Sequence, residues 1–170
     1  MIAVIAWLGT AVAADWPVDR LVLVVLRSLA YDGALSSRAG AELDVCVIGP
    51  AGSERVPLVE SALARLQGTK VGGVPLAPPR RGGSESPLPA EVDVVLLVEL
   101  EDPSAWMAQA HDRRIRVLSV DRAPVGRGAM LGVELAGGTL HLVVDRQEAR
   151  RQGAELSAEL LQLATNVGEP

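Results

Sequence analysis

Two glycine-punctuated loops carry the residues of this chain best placed to do chemistry. Gly126-Arg127-Gly128 follows a β-prone run, as do dinucleotide-binding loops, where glycines let the backbone approach a pyrophosphate at a helix N-terminus. Here the next element is a strand, so no helix dipole faces the phosphate, and the loop reads as a turn carrying Arg127 into solvent. A loop that contacts a ligand or partner is the functional alternative. Gly49-Pro50-Ala51-Gly52-Ser53 closes another apolar run. It lacks the Gly-Lys-Ser/Thr of a P-loop, which leaves a plain connection or an anion site built from backbone N–H groups and Ser53. Asp121 and Arg122 end a third run on the same expected sheet edge, as a surface ion pair or as part of a site with Gly52, Ser53 and Gly126 to Gly128.

The remaining reactive side chains are dispersed. His111 falls on a helix and His141 on a hairpin strand, and neither has a second His, Cys or carboxylate at ligand spacing, whereas zinc needs three or four converging ligands. Cys46 is alone inside the apolar run Leu43 to Ile48, where a thiolate is disfavoured and an intramolecular disulfide has no second partner. No Ser stands in a Gly-x-Ser-x-Gly elbow, and Glu99, Glu101 and Asp102 cluster where a strand runs into a helix cap, an ordinary structural use of carboxylates. No enzyme, metal or cofactor is expected.

These residues are positioned by alternating strands and helices. Val18 to Ala30 is expected as a largely buried helix, Glu42 to Ile48 as a strand, Pro57 to Gln67 as a helix ended by Gly68, and Thr69 to Leu76 as a strand. That strand–helix–strand unit favours parallel pairing through a right-handed crossover. Residues 78–90 are rich in Pro, Gly and Ser and are expected as a mobile loop. Val92 to Leu100 reads as a central parallel strand covered on both faces. Asp102 and Pro103 open a helix ending near Arg114, and Ile115 to Val120 is the next strand.

Ala129 to Leu135 and Thr139 to Val144 form an antiparallel hairpin around Gly137-Gly138, whose glycines supply the positive φ of a tight turn. Asp145 then caps a helix from Arg146, with Glu148 three residues on to complete a capping box. Gly153 ends it, and Ser157 caps a last helix bearing Leu160, Leu161 and Ala164. The sum is an α/β fold: a single three-layer domain with a mixed, mostly parallel sheet, a C-terminal β-hairpin and helices on both faces.

Composition sets the outer bounds. A chain of 170 residues fits one domain that buries roughly two thirds of its unfolded surface. An apolar fraction of 49% argues against disorder, and with no Phe and one Tyr the core must be aliphatic. A formal charge of −5, with no basic run longer than Arg80-Arg81 or Arg113-Arg114, disfavours nucleic acid as a partner. Residues 1–14 combine an apolar run with small residues ending at Ala14, the pattern of a cleaved secretory leader, although no Lys or Arg precedes the run; an N-terminal core strand is the other reading. Residues 15–170 then form the domain. No other segment has the eighteen or so apolar residues of a spanning helix, so no membrane span is expected in the mature chain.

Asp121 to Ala164, DRAPVGRGAMLGVELAGGTLHLVVDRQEARRQGAELSAELLQLA, resembles the C-terminal signature of the YfiR-like periplasmic proteins, a family known largely as a domain of unknown function. Gly128-Ala129-Met130 stands where the family has a Gly-Met pair. The hairpin, the run Ala149-Arg150-Arg151-Gln152-Gly153 and the helix from Ser157 carry the likeness, and Ala30 to Pro50 resembles one branch of the family. Pro78 to Ala90 lies outside it. The resemblance implies a periplasmic regulator, since in this family one protein represses an inner-membrane diguanylate cyclase by binding its periplasmic domain. Disulfide-based redox sensing, found among cysteine-richer relatives, is not carried over to a chain with Cys46 alone.

The leading expectation is therefore an exported regulatory or sensory protein that acts through its surface. An inner-membrane diguanylate cyclase or sensor kinase is the implied partner, and homodimerisation is compatible with the same reading. The alternative is a small periplasmic solute-binding module that serves a sensor kinase or transporter and holds its ligand at the strand-end loops. A single lobe disfavours it, because clamshell binders close two lobes on a ligand.

Overall fold

Strands that are apolar at every position need cover on both faces, and the central strands of this protein have it. The computed structural model describes residues 16–83 and 86–168; the expected leader, 1–14, lies outside them. Helix α1 (Val18–Ser28) buries Leu21, Val22, Val25 and Leu26 on one stripe, with Asp19 in its first turn and Arg27 in its last, each favourable to the helix dipole. A single 3₁₀ turn (Leu29–Tyr31) and the short α2 (Leu35–Arg38) lead to β1 (Val45–Ile48). Helix α3 (Arg55–Arg65) follows and packs along α1.

The chain departs from expectation next. Residues 69–76 do not add a strand to the main sheet. They fold back on themselves as β2 (Lys70–Val71) and β3 (Val74–Pro75), an antiparallel pair turned by Gly72 and Gly73 at φ of 57° and 91°. Two consecutive positive φ values are the signature of a tight hairpin turn. The parallel neighbour of β1 is instead β4 (Arg80–Gly82), which lies within the segment 78–90 expected as a loop. Arg80 is tied to Asp44 at 2.9 Å, and Arg81 Nε donates to Glu60 at 2.7 Å, so the edge strand is held by charge rather than by apolar side chains.

From β4 the chain returns across β1 to β5 (Val94–Leu97), then passes through α4 (Ser104–Arg113) to β6 (Arg116–Ser119). The hairpin β7 (Leu131–Ala136) and β8 (Thr139–Val144) continues the sheet, followed by α5 (Arg146–Arg151) and α6 (Ala158–Leu163). A last strand, β9 (Ala164–Asn166), begins where the final helix was expected to continue and pairs parallel with β8. The seven-stranded sheet runs β4-β1-β5-β6-β7-β8-β9, antiparallel only between β7 and β8.

Alternation separates two cores. Val45, Val47, Val94 and Leu96 face α1 and α3; Cys46, Ile48, Val95 and Leu97 face Trp106 and Ala110 of α4. The crossovers β1–α3–β4 and β5–α4–β6 run in opposite directions from the middle of the sheet, and their helices cover opposite faces. The fold is thus the mixed, mostly parallel α/β sheet with a C-terminal antiparallel hairpin that the alternation of elements implies.

The C-terminal elements are pinned by buried polar groups. Asp145 accepts from Glu148 N–H at 2.9 Å, as expected of the cap, but Asp145 N–H donates to Met130 O, so the reciprocal arm of the capping box is absent. The Glu148 carboxylate instead meets His111 Nε2 and accepts from Gln152 Nε2. Gln152 is fully buried where β6 and β7 part. Its Oε1 accepts from Val117 N–H at 2.7 Å and its Nε2 donates to Gly128 O at 2.7 Å, so the side chain completes a ladder the two strands cannot close.

Candidate functional site

In open α/β sheets, ligands bind beyond the carboxyl ends of the strands where the chain direction across the sheet reverses. Here that point lies between β1, whose crossover goes to β4, and β5, whose crossover goes to β6. The loops that meet there are Gly49 to Ser53, after β1, and Glu99 to Asp102, after β5.

A chain of hydrogen bonds joins these loops. Ser53 Oγ donates to Glu99 Oε2 at 2.7 Å and accepts from the N–H groups of Arg55 and Val56, both at 3.1 Å. Glu99 N–H donates to Asp121 Oδ2 at 3.1 Å, and Arg55 Nη1 pairs with Asp121 Oδ1 at 2.6 Å. Glu99 sits at φ 51°, a left-handed conformation that a side-chain-bearing residue keeps only when its surroundings hold it. Ser53 and Asp121 do the holding.

Among the described residues, grooves open along this edge at three places. The largest, about 630 Å³, runs between the start of α1 and the β7–β8 hairpin and is lined by Trp16, Leu21, Arg55, Asp121, Arg122 and Leu140, among others. Trp16 Nε1 donates to Gly138 O, and Arg20 stacks over its ring at 5.9 Å. A second groove, about 380 Å³, is framed by Gly49 to Ser53, Arg81 and Gly82. The third, about 370 Å³, lies between Glu99 to Glu101 and Asp121 to Pro124.

Of the residues singled out from the sequence, Ser53 and Asp121 are joined through Arg55 and Glu99, Gly52 belongs to the same loop, and Arg122 lines the groove that Asp121 lines. Arg122 also faces Glu134 at 3.2 Å. Gly126 to Gly128 stand apart. Gly128 is buried at φ 137°, and a Cβ there would meet Met107 Sδ at 2.5 Å, so this glycine serves packing. Arg127 is exposed and reaches the third groove only through Glu101, 3.9 Å away. Arg55 and Glu99 were not assigned to the site from the sequence. Their signal is positional: Arg55 lies two residues past Ser53 of the loop after β1, and Glu99 two residues past the end of the central strand β5.

The chemistry of this edge is that of a preset surface. The lone pairs of Ser53 Oγ accept two amide protons while its own proton is directed at Glu99, which leaves little for nucleophilic attack. As an anion cradle the Gly49–Ser53 loop is pre-empted as well, because Ser53 already caps the first turn of α3. Ser104 N–H and hydroxyl, with Arg127 beyond, hold the Asp102 carboxyl below the usual range, as suits a helix cap. Burial pushes the Cys46 thiol up, against a smaller pull from Arg80, and the sulfur lies beneath β4. Among the described residues, no three of His, Cys, Asp and Glu come together as metal ligands, and no helix is long and apolar enough to cross a membrane.

The architecture is shared with solved structures. A conserved domain protein from Vibrio cholerae superposes with a TM-score of 0.58 at 16% identity over 88% of this chain and 60% of that one. A Streptococcus pneumonia ABC domain in complex with L-Trp superposes with a TM-score of 0.56 at 12% identity over 89% of this chain and 62% of that one. The chain thus spans about three fifths of each, and at such identities the likeness is one of fold. No curated protein matches the sequence. The family model described as YfiR/HmsC-like matches residues 24–165, from within α1 into β9, and so reaches every strand of the sheet. The chain belongs to the YfiR/HmsC-like family.

Proposed function

We propose that this chain is an exported regulatory protein that acts by binding another protein, with the carboxyl-edge surface around Ser53, Asp121, Arg122 and Arg127 as its contact face. Membership of the YfiR/HmsC-like family carries this reading. The partner expected on that ground is an inner-membrane diguanylate cyclase or a similar sensor, met in the periplasm. The hydrogen bonds that join Ser53, Glu99, Asp121 and Arg55 support it, since a surface ordered in advance loses less entropy on docking. Docking would repress a cyclase only to the extent that the protein binds its inactive state more tightly than its active one.

The test is capture from solubilised inner membrane with mass spectrometry of what is retained. A membrane signalling protein held by wild type and lost from Arg122→Glu and Arg127→Glu, with melting temperatures unchanged, is the expected result. Equal retention by all three proteins removes the carboxyl edge from the contact.

A solute-binding module serving a sensor kinase or transporter is the second reading. It is favoured by the roughly 630 Å³ groove beside Trp16 and by the fold shared with a domain solved with L-Trp. Calorimetry against a panel of amino acids separates the two, because saturable uptake of heat with one of them belongs to the second reading alone.

A further inference from the structure

We propose that the amino edge of the sheet, at the far end of the strands from the carboxyl-edge grooves, carries a separate recess for a phosphate group, recognised by Arg38 and Arg114. The recess encloses about 130 Å³ between α2, the residues ahead of β5, the end of α4 and the start of β6. Arg38, Arg113, Arg114 and Arg116 all line it, together with Asp93. This gathers a quarter of the sixteen basic side chains of a protein whose formal charge is −5.

The four arginines divide into two that build and two that are free. Arg116 Nε donates to Asp32, Nη1 to Arg114 O and Nη2 to Gly153 O, which locks it in the floor. Arg113 donates to the carbonyls of Leu88, Pro89 and Ala90 and fixes the loop ahead of β5. Arg38 and Arg114 have no side-chain hydrogen bond or ion pair among the described residues. Arg114 is nonetheless held in place. It ends α4 in the left-handed conformation, φ 54°, a position usually given to Gly, and its methylenes lie along Gly153, where an added Cβ would come within 3.1 Å of Arg114 Cδ.

The carboxylates nearby do not cancel this charge. Asp32 is engaged by Arg116, and Asp93 accepts from Asp44 N–H at 3.0 Å. Against the three lining guanidinium groups that Asp32 does not engage, those of Arg38, Arg113 and Arg114, the recess holds the single carboxylate of Asp93. The guanidinium fork matches the oxygens of phosphate, and the recess, about 130 Å³ and open to solvent, has room for one tetrahedral group. The group could arrive as inorganic phosphate or on the headgroup of an anionic lipid. The inference does not depend on the proposed partner, because the recess and the contact face lie at opposite ends of the strands.

The experiment is calorimetric titration of the purified protein with inorganic phosphate at neutral pH, ionic strength held with chloride. One saturable site is expected, weakened at least about tenfold, the loss of one charge-assisted hydrogen bond, in Arg38→Ala and in Arg114→Gly. Glycine is chosen at 114 because it tolerates φ 54°. Should Arg114→Gly fail to fold, Arg38→Ala, on a four-residue surface helix, decides alone. Sedimentation with phosphatidylglycerol vesicles, against phosphatidylcholine controls and with phosphate as competitor, tells a lipid headgroup from the free ion. Absence of a saturable site, or binding equal in wild type and Arg38→Ala, overturns the proposal.

Discussion

Arg116 Nε donates to Asp32 Oδ2 at 2.8 Å, across 84 positions of sequence, with the two side chains 3% and 0% exposed. Asp32 Oδ1 also accepts from Ala34 N–H and Glu155 N–H, so one carboxylate ties the end of the N-terminal helical segment to the central sheet and to the link between α5 and α6. Breaking a buried pair strands a charge away from water. Asp32→Ala should lose about 3–5 kcal/mol of stability in urea unfolding. The double variant Asp32→Ala, Arg116→Met should lose less than Asp32→Ala alone, because it removes the stranded guanidinium.

Gln152 sits in the seam between β6 and β7, where its amide serves both Val117 N–H and Gly128 C=O. Gln152→Leu leaves both groups unsatisfied and should destabilise by about 1–3 kcal/mol for each. Gln152→Glu keeps the acceptor for Val117 but sets an oxygen against Gly128 O and the Glu148 carboxylate. Its deficit in chemical unfolding should shrink as the pH is lowered and the introduced carboxylate protonates.

Gly128 and Gly137 both have positive φ, 137° and 58°, but different surroundings. A Cβ at 128 would meet Met107 Sδ at 2.5 Å and Pro103 Cγ at 3.0 Å; at 137 nothing lies within 4 Å. Gly137→Ala should cost only the backbone conformation, about 1 kcal/mol, while Gly128→Ala adds the collision and should cost about twice that or more. Paired thermal melts check the ranking.

Asp93 gives a pH dependence of definite sign. Its carboxyl is raised chiefly by burial, with the neighbouring Asp44 charge adding to it, against the Asp44 N–H bond and the Arg116 charge. Between its unfolded value and that raised value the folded protein holds a proton the unfolded chain has released. Stability from this group therefore falls as pH rises through that window and stays lower above it. Asp93→Asn keeps an acceptor for Asp44 N–H, so it should melt higher than wild type at neutral pH and alike in acid below the window.

Much of the fold is written locally. The Asp145 and Ser157 caps, the Gly137-Gly138 turn, the Gly153 stop and the aliphatic run of β5 each declare an element through interactions within a few residues, and each is found where those residues place it. Errors fall where a distant partner decides. Gly72-Gly73 is a turn signal in its own right, yet the apolar residues around it also suit a longer strand. Arg80 to Gly82 has no apolar period and becomes a strand because β1 offers an unpaired edge and Asp44 and Glu60 sit opposite the arginines. Ala164 leaves its helix to pair with Leu142 of β8.

The candidate site divides the same way. Residue type and strand-end position pick out Ser53, Asp121 and Arg122, because carboxyl-end loops are set by the order of strands and helices. That Ser53 bonds Glu99 across 46 residues, that Arg55 closes on Asp121, and that Gly128 packs under Met107 while Arg127 reaches Glu101 depend on how the strand ends are brought together. Hydrogen bonds and close packing act over a few ångströms. Sequence spacing conveys such distances only within a turn or a helix, and between separate strands they exist only once the sheet has formed.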